Sequence, residues 1–207
     1  NHGMAVDFQT GELGRTYNDR TVTPDWLEWC RVELAPTGKR VVDLGCGGGI
    51  YSRGFAELNA HMVIGIDSAV QYVEEANEES QALSNVRFAV GTASHTGLAD
   101  RSADIVFHRA VIHHLDGREQ VAGAIEMRRV LDAGGLCVVQ DRTVEDVEST
   151  HPDHWIRATL FEAFPRLLET ERGRRPSTPG YAKVMRESGF EKVEVLKYSE
   201  TRKHYAS

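Results

Sequence analysis

The stretch Arg40-Val41-Val42-Asp43-Leu44 runs without a break into Gly45-Cys46-Gly47-Gly48-Gly49, and this junction restricts the fold more than any other segment. A short apolar run that ends in glycines reads as a strand buried on both faces, and such strands belong to parallel sheets covered by helices. Glycines supply positive φ angles and let the backbone come close to a bound molecule. Residues 51–58 then continue with helical spacing. The unit is therefore strand, tight turn and helix, with the helix start and its free N–H groups facing a ligand.

The rest of the chain repeats this rhythm. Thr23-Pro24 is a helix start signal for residues 23–34, and Pro36-Thr37-Gly38 ends that helix. Residues 61–66 read as a second strand closed by Asp67, and 69–80 as a helix. Strands follow at 86–90 and 103–107, then a helix at 118–131, a turn at Asp132-Ala133-Gly134-Gly135 and a fifth strand at 136–140. Residues 144–180 are polar, with Trp155, Leu160, Phe161, Phe164 and Leu167 near helical spacing. They predict one or two inserted helices with a stripe too narrow for an independent core, hence a lid. Residues 181–188 read as a helix, and 193–198 and 203–206 as strands. The expectation is an α/β fold: a doubly wound, mostly parallel seven-stranded sheet with helices on both faces and an inserted helical lid after the fifth strand.

The length of 207 residues suits one domain. Residues 1–3, ahead of Met4, read as a vector remnant. Residues 15–140 are expected to form the ligand-binding core, 144–180 the insert and 181–207 a terminal helix with strands. A net charge of -7 opposes general binding to nucleic acid. Cys30, Cys46 and Cys137 have neither metal-ligand nor disulfide-framework spacing, which fits the cytoplasm. No apolar run is long enough for a membrane span, and no secretory signal is expected.

Ile50 stands where a dinucleotide-binding G-x-G-x-x-G loop would place its third glycine. Asp43 can anchor the loop and face the ammonium of an amino-acid ligand, whereas a pyrophosphate would be repelled. The run VVDLGCGGG resembles motif I of the class I S-adenosylmethionine-dependent methyltransferases, and the chain is similar to their small-molecule branch, which includes the ubiquinone and menaquinone methyltransferases. The similarity spans about residues 15 to 140, and more loosely Gly189-Phe190. It implies S-adenosylmethionine as cofactor, S-adenosylhomocysteine as product, and binding through Asp43, Gly45, Cys46 and Gly47. Asp67 is expected to accept both ribose hydroxyls, the other reading being a helix cap ahead of Ala69. By the same resemblance Ser68 and Tyr72 flank the adenine. Thr92 stands where the family usually has an aspartate, and Ala93 offers backbone contact. Residues 104–115 resemble the family's fourth strand and His-His-Leu turn, which implies that His108 and Arg109 lie beside the methionine part.

Methyl transfer from a sulfonium is an in-line displacement, so positioning is the protein's main task. A general base is needed where the acceptor arrives protonated, and His114, His108 and Asp141 are the candidates at strand ends. His113 and His114 also read as plain helix-entry residues. Adjacent histidines do not converge easily on a metal, and no metal is expected. Arg142, with Arg172, Arg174 and Arg175, suggests an anion-recognition set, although a solvated basic face balancing Glu169 and Glu171 suits Arg172 and Arg174 better. Tyr17 and Asn18 are expected to cover the cofactor. His151, His154 and Trp155 are expected to line the acceptor pocket, with lid packing the other reading for Trp155. The expected partner is a small-molecule acceptor, with no nucleic acid and no membrane, in a monomer or homodimer. The competing readings are an NAD-dependent oxidoreductase, a nucleic-acid methyltransferase and a non-catalytic S-adenosylmethionine-binding protein. The second lacks an Asp/Asn-Pro-Pro-aromatic motif, since His108-Arg109-Ala110-Val111 occupies that position. The third draws weight from Thr92.

Overall fold

A computed structural model describes residues 21–151 and 154–198. Tyr17, Asn18 and the strand expected at 203–206 lie outside the described residues. Helix α1 (Pro24–Trp29) opens on Thr23, whose Oγ1 accepts the Trp26 N–H, and runs on as a π-helical turn, Cys30–Leu34. There follow β1 (Arg40–Leu44), α2 (Ile50–Glu57), β2 (Met62–Asp67), α3 (Val70–Glu79), β3 (Val86–Val90) and β4 (Ala103–Arg109). A 3-10 turn at Ile112–His114 leads into α4 (Gly117–Val130), β5 (Leu131–Gln140), α5 (Val144–Val147), α6 (Trp155–Ala163), α7 (Pro165–Arg174) and α8 (Thr178–Glu187). Asp116 with Glu119, and Thr143 with Asp146, close reciprocal capping boxes that satisfy the first N–H groups of α4 and α5.

The strands form one parallel sheet in the order β3-β2-β1-β4-β5. Successive strand residues face opposite sides, and the packing follows that period. Val41, Ile105 and Phe107 pack with Trp26 and Phe55 on one face, while Val42 and Val106 pack with Met127 and Val130 on the other. Trp26 meets Phe55 and Phe107 edge-on, at 5.1 and 5.7 Å between ring centroids. At the amino-terminal edge of the sheet, Arg40 of β1 bridges Asp104 (2.6 Å) and Asp132 (3.0 Å), tying three adjacent strands together.

The structure changes the expected architecture in three places. Among the described residues the sheet has five strands; Val193 to Tyr198 joins no ladder. The apolar alternation there is real but is used for packing: Val193 lies on the α4 side, Tyr198 lies 5.1 Å from Trp29 on the opposite side, and Val195 and Leu196 are exposed. The fifth strand starts earlier than expected, with a register shift against β4 where the glycine turn falls. The insert holds three helices, α5 to α7.

The chain steps from β1 outward to β3, then returns to pair β4 against the other side of β1. In such a doubly wound sheet, ligands bind beyond the carboxyl ends of the strands at this reversal, here between β1 and β4.

Candidate active site

The glycine turn lies at that reversal. The N–H groups of Gly45 and Cys46 both donate to the Ile66 carbonyl, at 2.7 and 3.1 Å, which fastens the turn to β2. Gly45 has φ +78°, and a Cβ there would lie 2.2 Å from Cγ2 of Val111. Glycine is thus required twice over, by conformation and by the close approach of the β4 loop. Gly47, at φ +50°, is different: a Cβ would meet nothing within 4 Å, so the space beside its backbone is open.

Asp43 lies beneath the turn, 2% exposed, and accepts a 2.6 Å hydrogen bond from Ser52 Oγ of α2. Burial pushes its carboxyl up to about 6, against the Ser52 hydrogen bond that favours the charge. Its place is that of an anchor between β1 and α2. Asp67 is more open and holds two backbones at once: Oδ2 accepts from Gly47 N–H and Oδ1 from Ala69 N–H, both at 2.9 Å. Each oxygen keeps a further lone pair, so the local anchoring role leaves room for a diol. Cys46 is buried, Ser68 is exposed and Tyr72 half-buried. Thr92 is exposed in a tight hairpin with His95, and Ala93 packs beside Gly123 of α4.

On the β4 side His108 lies within the strand. It is 1% exposed, because β4 extends two residues beyond the expected end and keeps His108 in the ladder opposite Leu44. Its Nδ1 lies 2.9 Å from the Leu44 carbonyl, so it ties β4 to the base of the glycine turn. Arg109 emerges at the strand end, its guanidinium 4.3 Å from the Tyr51 ring centroid and its Nε donating to Gln140 Oε1. Ala110 then takes φ +57°, turning the chain so that Val111 reaches Gly45.

The 3-10 turn brings His113 to Asp141, the residue just after β5. Nδ1 of His113 lies 2.8 Å from Asp141 Oδ2, and both side chains are less than one-tenth exposed. Nδ1 against a carboxylate carries the proton, which leaves Nε2 as the basic nitrogen. Arg175, buried, donates to the other Asp141 oxygen at 3.1 Å and to Glu171 at 2.7 Å. Burial works against the Asp141 charge, but the His113 hydrogen bond and the Arg175 charge outweigh it and hold the carboxyl below its ordinary range. His114 stacks on His113 at 4.1 Å between centroids. Its imidazole is pushed down to about 4, by partial burial first and then by the charges of His113 and Arg174. The structure therefore pairs Asp141 with His113, the residue that sequence reasoning passed over, and not with His114. Of the other expected residues, Arg142 lies on the rim next to Asp141, His154 precedes α6, and Trp155 projects 65% exposed. Among the described residues no group of three His, Cys, Asp or Glu side chains is placed to hold a metal ion.

The family model of a methyltransferase domain matches residues 42–139, from β1 to the end of β5. Over the stretch that carries the five strands, the chain is similar to methyltransferase domains. It is 29% identical over 155 residues to the 2-methyl-6-phytyl-1,4-hydroquinone methyltransferase of a Synechocystis species, covering 70% of this chain and 48% of that protein. It is 31% identical over 102 residues to a ubiquinone biosynthesis O-methyltransferase of Cereibacter sphaeroides, covering 49% of this chain and 40% of that protein. The chain thus spans about half or less of the length of these curated relatives. The solved structure of YcgJ from Bacillus subtilis shares the fold with a TM-score of 0.61 at 24% identity, over 78% of this chain and 66% of that one.

Proposed function

We propose that this chain methylates a hydroxyl of a small-molecule acceptor, using S-adenosylmethionine. The observation that carries the reading is the His113–Asp141 pair, set on the loops beyond β4 and β5 on the same side of the sheet as the glycine turn. The turn suits the cofactor: the open space at Gly47 accepts a close ligand, and Asp67 offers lone pairs to the ribose diol. Arg109, Ser68, Tyr72, Thr92 and Ala93 would complete its surroundings. When bound, S-adenosylmethionine supplies an electrophilic methyl carbon on a sulfonium.

The protein's share is alignment and proton removal. Glycine turn and Asp67 fix one partner; proximity of this kind provides most of the acceleration in a displacement. His113 Nε2 takes the proton of the acceptor hydroxyl, while Asp141 keeps the proton on Nδ1 and stabilises the imidazolium that results, a contribution on the order of 10²–10⁴-fold. The helices α5 to α7 act as a lid over the acceptor, with Arg142, His154 and Trp155 on its inner side. Tyr17 is assigned to the cofactor cover. Three free cysteines suit a reducing compartment such as the cytoplasm, and no helix among the described residues is long and apolar enough to cross a membrane.

A nicotinamide cofactor gains no support: Ile50 opens α2 where that fingerprint needs glycine, and Asp43 lies beneath the turn. The test is calorimetry with S-adenosylmethionine, S-adenosylhomocysteine and NAD, followed by a methyl-transfer screen over phenols, acids and amines. Binding of the first two alone, weakened severely by Asp67→Ala, and methylation of a hydroxyl slowed at least about a hundredfold by His113→Gln, is the expected outcome. Tight NAD binding, or hydroxyl methylation unaffected by His113→Gln, overturns the reading.

A further inference from the structure

The lid helices and the residues leading into them hold six arginines, Arg142, Arg157, Arg166, Arg172, Arg174 and Arg175, and their partners among the described residues divide them. Arg172 is paired with Glu148 at 2.6 Å, and Arg174 with Glu171. Arg175 is spent on Asp141 and Glu171, and its Nη1 also reaches the Arg142 carbonyl at 3.2 Å. Nearby acids are equally occupied: Asp146 accepts from the N–H and Oγ1 of Thr143, and Glu145 lies against Thr178. Arg166 is exposed to solvent, and two further guanidiniums keep donors to spare among the described residues. Arg157, in the first turn of α6, gives Nη2 to the Asp146 carbonyl at 2.8 Å, but its Nε is buried with no acceptor. Arg142 follows Asp141 directly, and its side chain makes no hydrogen bond or ion pair among the described residues. Its guanidinium is pushed below its ordinary value, by partial burial and then by the like charges of Arg175 and Arg157 beside it.

At the N-cap of the same helix, His154 has a buried Nδ1 without a partner. The start of α6 has no side-chain cap, which leaves N–H groups there for a negative charge. Orphaned buried donors are costly, and an anion satisfies several of them at once.

We propose that the acceptor bears an anionic group, carboxylate or phosphate, which Arg142 and Arg157 hold at the start of α6. This rests on the methyl-transfer reading above, and places that group on the lid side of Asp141 while the hydroxyl faces His113. One carboxylate thus separates the two subsites, with His113 on one oxygen and Arg175 on the other.

Calorimetry on the protein saturated with S-adenosylhomocysteine tests this with 4-hydroxybenzoate, 4-hydroxyphenyl phosphate and the neutral 4-hydroxybenzamide. At least one anion should bind about tenfold or more tighter than the amide, and the better anion identifies the group. Arg142→Gln or Arg157→Gln should erase that preference, and Arg172→Gln, whose guanidinium is already paired, should keep it. Equal binding of all three probes, binding of none, a preference surviving both variants, or one lost equally in Arg172→Gln overturns the proposal. S-adenosylhomocysteine binding, measured first in the same samples, reports separately on the methyl-transfer reading.

Discussion

Gly45 is the point where the cofactor turn and the β4 loop are forced together, and a double-mutant cycle with Val111 measures that contact. Replacing Gly45 by Ala places a Cβ 2.2 Å from Val111 Cγ2 at a backbone φ of +78°. The left-handed conformation costs an L-residue about 1–2 kcal/mol. Overpacking adds about 1–3 kcal/mol, so Gly45→Ala should destabilise by about 2–5 kcal/mol in urea unfolding. Val111→Ala alone loses two methyl groups at about 0.8 kcal/mol each, discounted because Val111 is only partly buried. In the Val111→Ala background the clash is gone and only the conformational cost of about 1–2 kcal/mol persists. The cycle should therefore show a coupling of about 1–3 kcal/mol, the double variant being more stable than the sum of the singles. Full additivity, within about 0.5 kcal/mol, would refute the packing of Val111 on the turn.

The two remaining expectations concern buried acids with opposite pH signatures. Asp43 is raised to about 6 by burial, so its contribution to stability is complete below its ordinary value and is lost as pH rises through about 6. Asp43→Asn should therefore gain on the wild type by roughly 1–3 kcal/mol at pH 8 and lose that advantage by pH 4, read from urea midpoints; a pH-independent difference would contradict this. Glu126 is held down at about 2 by Arg129 and by the Thr96 N–H and Oγ1, so its contribution is present above its ordinary value and is lost as pH falls toward 2. Glu126→Gln should cost about 1–3 kcal/mol at pH 7 and much less near pH 2.5, and an equal cost at both would argue against a charge-assisted contact.

Local signals were readable in the sequence, and long-range ones were not. Strands β1 and β3 fall where their apolar runs predict, because a buried strand bounded by turn residues is a local pattern. The Asp67 bond to Gly47 depends on β1–β2 register, which no single segment carries. The end of β4 was not legible because it is set by pairing with β1 and β5, two residues beyond the apolar run. The choice between His113 and His114 turns on Ala110 at positive φ and a 3-10 turn, and alanine gives no hint of that conformation. Arg157 sits on a mostly apolar helix with no motif around it, and its buried, unpartnered Nε is visible only in the structure.

Asp141 joins the chemistry to the lid in a way that decides how each can be probed. Arg175 is 2% exposed, and burying a guanidinium needs acceptors of good geometry, which Asp141 and Glu171 supply. Removing Asp141 would therefore strand a buried charge and release α7 from the end of β5, in addition to freeing the His113 ring. A loss of activity in such a variant would confound base orientation with lid position. His113 has the opposite character, since it contacts the same carboxylate but carries none of the lid's charge pairs. Substituting it leaves Arg175 and Glu171 in place, so the proton transfer proposed for the dyad is separable from its structural role only on the histidine side.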